Sequence, residues 1–340
     1  MAMTKRIYPI VIILLSVLIT SCEKWPLWVG NKEFITISYE KGATNGPLVY
    51  PAEYAETSRF VSIDSIFAQQ IADTVKIIID GVRIKSNRNN FEILNTNNKQ
   101  IEIFEKGLND RKWISQSEFS NASDFENAAV SCVLVLDMSS SVLPVVSDLK
   151  SFANSFVDNV VNNGGAGTEI AVVFFSSKNA ILETPFYNKS NISLLKDQIN
   201  SYTNFQDRTA LFQASVNGLN KLTISGNNNS KCLVVFSDGG DNDSDYANDL
   251  QSNIQSDYEE ILRYSIGLKG NDLDRERQAD LKSIASEKSN FVIANKVSDL
   301  KDLFDEVSQQ LAAVYRLTYN RSSSNTEKIE IKFKIPVNKL

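Results

Sequence analysis

The chain of 340 residues contains no histidine. That absence removes a wide range of chemistry. Ser-His-Asp and Cys-His nucleophiles, imidazole bases and His-ligated zinc, copper or non-haem iron all need a ring this protein does not have. Cysteine is scarce as well: Cys22, Cys132 and Cys232 are too few for a zinc ribbon or an iron–sulfur cluster. A bound metal must therefore rest on oxygen, which selects the hard cations Mg²⁺, Ca²⁺ and Mn²⁺. Positive charge is in deficit, with 35 Lys and Arg against 41 Asp and Glu. A net charge of −6 argues against a protein that grips nucleic acid by its phosphates. The one glycine-rich stretch, Gly164-Gly165-Ala166-Gly167, has no following Lys-Ser/Thr and reads as a connector rather than a phosphate loop.

Long apolar runs are also missing, except at the start. Lys5 and Arg6 precede Ile7 to Thr20, which is almost wholly apolar but shorter than the roughly 20 residues a membrane span needs. The run stops at Ile19-Thr20-Ser21-Cys22, which resembles the lipobox of bacterial lipoproteins. The resemblance implies cleavage before Cys22, acylation of that cysteine and loss of residues 1–21 as a signal peptide. Each buried acyl CH₂ contributes about 0.8 kcal/mol, so two or three chains would hold the protein on a membrane. The expected location is the bacterial cell envelope, with the outer membrane the first choice. ATP is scarce there, so no nucleotide partner is expected.

The rest of the chain has two textures. Residues 22–127 read as β-rich: Phe34 to Tyr39 and Val75 to Ile79 are strand candidates, and Phe91 to Leu94 and Lys99 to Phe104 flank an Asn-rich turn as a hairpin. Residues 109–127 are polar and read as a connector. From 128 to 316 strands and helices alternate. Val133 to Leu136, Ile170 to Phe175, Leu233 to Phe236 and Ile261 to Ile266 are continuous apolar runs suited to strands covered on both faces. Between them, Val145 to Val160, Leu211 to Leu222, Leu273 to Ala285 and Leu300 to Leu311 suit helices. This order predicts an α/β fold with a doubly wound, mostly parallel sheet and right-handed crossovers. Residues 317–340 turn β again. Two strands, with a turn at Arg321 to Asn325, are marginal alone, so they are expected to pair with the N-terminal strands. The α/β unit would then sit inside a discontinuous β-sandwich; two independent β modules are the alternative.

The oxygen ligands lie at strand ends. The Val133 run leads into Asp137-Met138-Ser139-Ser140-Ser141, so one carboxylate and two hydroxyls can converge. The Leu233 run leads into Ser237-Asp238-Gly239, and Thr209 opens a helix between them. Two carboxylates and three hydroxyls form a hard donor set too small to close an octahedral shell, which leaves a coordination position open. This D-x-S-x-S, Thr, S-D-G series resembles the von Willebrand factor type A domain and its metal-ion-dependent adhesion site. The resemblance implies a divalent ion, Mg²⁺ first and Ca²⁺ or Mn²⁺ otherwise, held by Ser139 and Ser141 directly and by Asp137, Thr209 and Asp238 directly or through water. It also implies an antiparallel edge strand, assigned to Ala180 to Thr184. Two positions depart from the family: Ser140 and Asp207 stand where glycine is common, and a carboxylate at 207 could crowd the ligands or raise metal affinity. The family places the strands bearing Cys132 and Cys232 side by side, as a disulfide or as two buried thiols; thiols are favoured, since strand interiors often hold free cysteine. The acidic run Asp241 to Asp245 lacks the glycine and the terminal glutamate of a calcium loop and reads as a turn capping the next helix.

The function expected from this series is binding. A partner protein would place an Asp or Glu carboxylate on the open metal position, and the chain would reach the membrane through its lipid. The alternative is an assembly lipoprotein whose β domain carries the interaction and whose metal only stabilises. Catalysis is not expected. An aspartate phosphotransferase needs a second acid two residues after the first, and Ser139 stands there; a hydrolase needs a base beside its nucleophile.

Overall fold

The computed structural model describes residues 32–40, 48–51, 55–57, 61–71, 74–84, 101–107, 110–116, 123–269, 277–322 and 328–336. Cys22, the leader before it and the Phe91 to Leu94 half of the expected hairpin lie outside these residues.

The chain opens with nine described strands: β1 (Lys32–Glu40), β2 (Leu48–Pro51), β3 (Ala55–Thr57), β4 (Val61–Ser62), β5 (Ser65–Ile71), β6 (Thr74–Ile84), β7 (Glu102–Gly107), β8 (Ile114–Ser115) and β9 (Ser123–Asn127). The α/β unit then runs β10 (Val130–Asp137), α1 (Val146–Asn163), β11 (Glu169–Phe175), β12 (Ile181–Glu183), β13 (Tyr187–Asn188), α2 (Ile192–Ser201), α3 (Leu211–Ser225), β14 (Ser230–Ser237), α4 (Ala247–Ser256), β15 (Leu262–Leu268), α5 (Arg277–Ile284), β16 (Phe291–Ala294) and α6 (Val297–Ala312). Two strands close the chain, β17 (Tyr315–Ser322) and β18 (Lys328–Pro336).

The α/β sheet has the order β12-β11-β10-β14-β15-β16. Its long strands are parallel, and β12 lies antiparallel at the edge, within the 180–184 segment expected there. Alternation along β10 divides two apolar layers. Cys132, Leu134 and Leu136 pack with Leu149, Phe156 and Phe304 of α1 and α6. Val133 and Val135 pack with Leu211, Leu219 and Leu222 of α3 and with Leu281 and Ile284 of α5. With β11 on one side of β10 and β14 on the other, the winding reverses at β10, and a crevice opens beyond the strands' C-terminal ends. Cys132 and Cys232 lie in register on β10 and β14 as buried free thiols. Burial first, and then contact with Cys132, hold the Cys232 thiol well above its ordinary range.

Gly218 brings α3 onto this sheet. A Cβ there would stand 2.7 Å from Leu233 Cδ1 and 3.0 Å from Val135 Cγ2. Gly218→Val is expected to destabilise the protein by about 3 kcal/mol, since a branched side chain must push helix and sheet apart. A urea midpoint within error of the parent would show that α3 can lift off without cost.

The remaining strands form two sheets, β3-β1-β18-β7-β8 and β2-β5-β6-β17-β9. They share one core, with Ile35, Ile37, Ile103, Ile331 and Phe333 from the first and Ile77, Ile79, Tyr315, Leu317 and Tyr319 from the second. The two tail strands do not pair with each other. β17 joins β6 and β9, and β18 lies between β1 and β7. Two sequence expectations need correction. Residues 123–127, read as connector, form β9, and Ile114–Ser115 within the same stretch form β8. Each is the last strand of its sheet. Arg321 and Ser322, read as turn, extend β17.

A polar seam joins the sandwich to the α/β unit at the start of β14, the end opposite Asp238. The Arg83 guanidinium pairs with Asp64 and donates to the Gly81 carbonyl at 3.1 Å. Asp64 in turn accepts from Ser230 Oγ at 3.0 Å. Asp80, only 3% exposed, accepts from Arg316 Nε at 2.7 Å and Nη2 at 3.0 Å, and from Asn229 Nδ2 at 3.2 Å. Gly81 makes room for this cluster: its φ is +70°, and a Cβ there would stand 2.1 Å from Asp64 Oδ2.

Candidate functional site

The crevice beyond β10 and β14 receives the side chains singled out in the sequence. β10 is buried along its whole length and ends on Asp137, whose side chain has no solvent exposure. Asp137 Oδ1 accepts the Ser139 N–H at 2.8 Å and Oδ2 accepts the Ser237 hydroxyl at 2.5 Å. The chain then turns into a short 3-10 helix over Ser140–Val145. Ser139 Oγ and Ser141 Oγ lie 2.9 Å apart, and Ser141 Oγ donates to Asp238 Oδ1 at 2.8 Å. Hydrogen bonds thus string together Asp137, Ser139, Ser141 and Asp238. Asp238 follows directly on β14 and is 7% exposed.

Thr209 reaches the site by a different route. Its N–H donates to Asn242 Oδ1 at 2.9 Å, and the Asn242 N–H returns a bond to its carbonyl at 2.9 Å. This double contact ties Thr209 to the loop after β14. Its hydroxyl lies 3.9 Å from where a side chain on Gly239 would begin, one residue past Asp238.

Three supporting groups were not anticipated. Ser237 fixes Asp137, Asn242 fixes Thr209, and the Gln206 carbonyl accepts the Ser140 N–H at 2.9 Å. The two departures from the family pattern meet each other: Ser140 Oγ donates to Asp207 Oδ1 at 2.5 Å, so this carboxylate is committed to the segment between the two serines. The acidic run behaves differently from its sequence reading. Asp241 Oδ2 accepts the Phe212 N–H at 2.9 Å, in the first turn of α3, not of the helix that follows. Asp243 accepts the Lys178 N–H at 2.9 Å, and Asp245 pairs with the Lys178 ammonium at 2.5 Å. Tyr246, with φ at +56°, makes the sharp entry into α4.

The site brings two carboxylates close together under cover from solvent. Burial first, and then the charge of Asp238, push the Asp137 carboxyl up to about 7; the bonds from Ser237 and Ser139 work the other way. A divalent ion between the two carboxylates would reverse that repulsion. Among the described residues no three carboxylates or thiolates cluster, so the donor set is two acids plus hydroxyls, which suits a hard ion that keeps waters. A pH dependence follows. The folded carboxyl of Asp137 titrates well above the unfolded value near 4. Without metal, the unfolded chain therefore ionises first, and this group costs stability progressively from about pH 4 to pH 7. A bound cation takes the proton's place, so its benefit is greatest above pH 7. The rise in melting temperature on adding MgCl₂ is expected to be larger at pH 8 than at pH 5.5, and the difference should vanish in Asp137→Asn. Equal shifts at both pH values would count against a buried carboxylate holding the ion.

Solved structures similar to this chain include proximal thread matrix protein 1 from the mussel byssus with a zinc-occupied MIDAS motif, at 17% identity over 60% of this chain and 51% of that one, with a TM-score of 0.45. This chain thus spans about half the length of the mussel protein. The vWF domain of the type V pili tip protein Mfa5 from Porphyromonas gingivalis is 15% identical over 54% of this chain and 95% of that one, with a TM-score of 0.47. The pilus adhesin SpaC from Lactobacillus rhamnosus GG, in an open conformation, is 11% identical over 88% of this chain and 44% of that one, with a TM-score of 0.48. No curated protein matches the chain. Residues 132–306, just over half of the sequence and the segment that carries all five candidate ligands, match the von Willebrand factor type A domain, and the chain belongs to that family.

Proposed function

We propose that this protein is a lipid-anchored envelope protein that captures a partner protein through a divalent cation. The observation that carries this reading is the pair of nearly buried carboxylates, Asp137 and Asp238, at the ends of adjacent parallel strands and joined through Ser139 and Ser141. Asp137, Ser139, Ser141, Thr209 and Asp238 would hold Mg²⁺, with Ca²⁺ or Mn²⁺ as substitutes. When bound, the ion supplies a Lewis-acidic position for an Asp or Glu side chain of the partner. Ser237 and Asn242 would hold the ligand loops in place, and the polar loops around the crevice would decide which partner fits. The role is adhesive rather than catalytic: the chain has no imidazole, and a serine stands where a phosphotransferase keeps its second acid. Cys22 would carry the lipid, which places the site outside the cytoplasm.

The test uses immobilised full-length chain and solubilised envelope proteins. Retention of a partner in Mg²⁺, release by EDTA and no retention by Asp137→Ala are the expected results. A partner that stays bound through both treatments would refute the metal-dependent reading and leave the sandwich as the binding surface.

A further inference from the structure

Three loops meet at the crevice. The first, 138–141, follows β10 and carries Ser139 and Ser141. The second, 204–210, precedes α3 and carries Thr209. The third, 238–242, follows β14 and carries Asp238. They are joined in pairs. Ser141 Oγ donates to Asp238 Oδ1 at 2.8 Å, which links the first loop to the third. The N–H and the carbonyl of Thr209 each bond Asn242 at 2.9 Å, which links the second to the third. The first and second are joined at Ser140. Its N–H donates to the Gln206 carbonyl at 2.9 Å, and Ser139 and Gln206 form an isolated parallel bridge. The Ser140 hydroxyl then donates to Asp207 Oδ1 at 2.5 Å. The links close a triangle around the candidate ligands.

A cation changes one of these links. Ser141 and Asp238 are both candidate ligands, so their mutual bond gives way to the ion. The other two links use no candidate donor atom and persist. The frame that receives the ion is therefore held by Asn242 on one side and by the contacts of Ser140 on the other. Of those contacts, only the bond to Asp207 is made between side chains. It also stands apart from the donor string: Ser139 Oγ faces Ser141 Oγ at 2.9 Å, whereas the hydroxyl of the residue between them goes to the neighbouring loop. Asp207 makes no other hydrogen bond or ion pair among the described residues. We infer that Asp207 is a positioning residue for the metal. By accepting the Ser140 hydroxyl, its carboxylate holds the Thr209 loop against the serine loop, so that Ser139, Ser141 and Thr209 stand in binding geometry before the ion arrives. This rests on the divalent-ion reading put forward above, and it decides between the two effects a carboxylate at 207 could have. Asp207 raises metal affinity, and it does so through the frame rather than by its charge or by touching the ion. Groups that orient metal ligands from behind contribute roughly 10–100-fold to affinity.

The experiment titrates Mn²⁺ into the full chain and reads binding by calorimetry and by the paramagnetic resonance of free Mn²⁺. The bond lies at the surface, so its removal leaves the fold intact, and far-ultraviolet dichroism of each variant checks this. Asp207→Ala and Ser140→Ala are each expected to weaken binding by about tenfold or more. The double variant should bind no more weakly than either single one, because both remove the same bond. Asp207→Asn keeps an acceptor for Ser140 without the charge and should bind close to the parent value. Parent-like binding by both alanine variants overturns the positioning role and leaves the metal site standing. An Asp207→Asn variant as weak as Asp207→Ala overturns it as well, since the carboxylate then acts by charge or as a ligand. Losses that add in the double variant overturn the shared bond. A parent chain that takes up no Mn²⁺ overturns the metal reading and the positioning together.

Discussion

Asp137→Ala is expected to lower affinity for Mn²⁺ or Mg²⁺ by about 100-fold or more, equivalent to roughly 3 kcal/mol of binding free energy, while the far-ultraviolet dichroism stays unchanged. Two considerations separate binding from folding here. Asp137 supplies one of the two carboxylates of the proposed site and is fully buried, and an alanine there offers the ion no oxygen. Its removal also ends a buried like-charge contact with Asp238, which relieves the metal-free protein. The loss that opposes this relief is modest. The Ser139 N–H loses its acceptor, at a cost of about 1–3 kcal/mol, whereas the Ser237 hydroxyl keeps the Gly239 carbonyl at 3.0 Å. Calorimetric titration of the full chain decides the matter. Asp238→Asn, at the far end of the same hydrogen-bonded string, should give a loss of similar size. Unchanged titration curves for both variants would remove these residues from any metal site.

The second large effect is expected at the seam. Arg83→Ala should destabilise the protein by about 3 kcal/mol or more, because breaking a buried ion pair leaves the surviving charge without compensation. Arg83 is 6% exposed, and its partner Asp64 is partly buried and also holds Ser230 of β14. Burial disfavours the guanidinium charge, and Asp64 more than offsets that penalty, so the pKa of Arg83 is raised. Without Arg83, the Asp64 carboxylate keeps the Ser230 hydroxyl but has lost the charge that balanced it. Removing both partners, as Arg83→Met with Asp64→Asn, should recover most of the loss, since no bare charge remains. Urea denaturation of the three variants tests this. A single variant as stable as the parent would show that water reaches the seam and solvates Asp64.

What the sequence made legible follows from how strongly burial constrains each element. β10, β11 and β14 are buried over nearly their whole length, so their apolar runs stand out without any other cue. α1 and α6 bury six residues each along one side, and their periodicity is plain. α2 was not recognised, and α4 was expected only as the helix after the acidic turn, with no bounds: α2 buries only Leu195 and Ile199, and α4 only Ile254, within sequences rich in Asn, Ser and Gln. β9, a polar run at a sheet edge, shows no apolar pattern in the sequence either. In the site, residues two apart in a strand-end loop are visible as a pattern, and Asp137, Ser139 and Ser141 were found that way. The groups that hold them were not. Asn242 lies 2.9 Å from the Thr209 N–H although the two are far apart in the chain, and no spacing in the sequence announces that contact. The paired tail strands were expected on stability grounds, yet their division between two sheets depends on packing that no local pattern encodes.

The chain leaves the sandwich through β9 and returns through β17, and these two strands are neighbours, with Tyr315 opposite Asn127. At the crossing itself the Ala128 N–H bonds to the Val314 carbonyl at 2.8 Å. The cut ends left by excising the whole α/β unit would therefore lie side by side, close enough for a two-residue turn to bridge. The scaffold is in this sense a socket: the inserted unit can be removed or replaced without disturbing a ladder in either sheet of the sandwich.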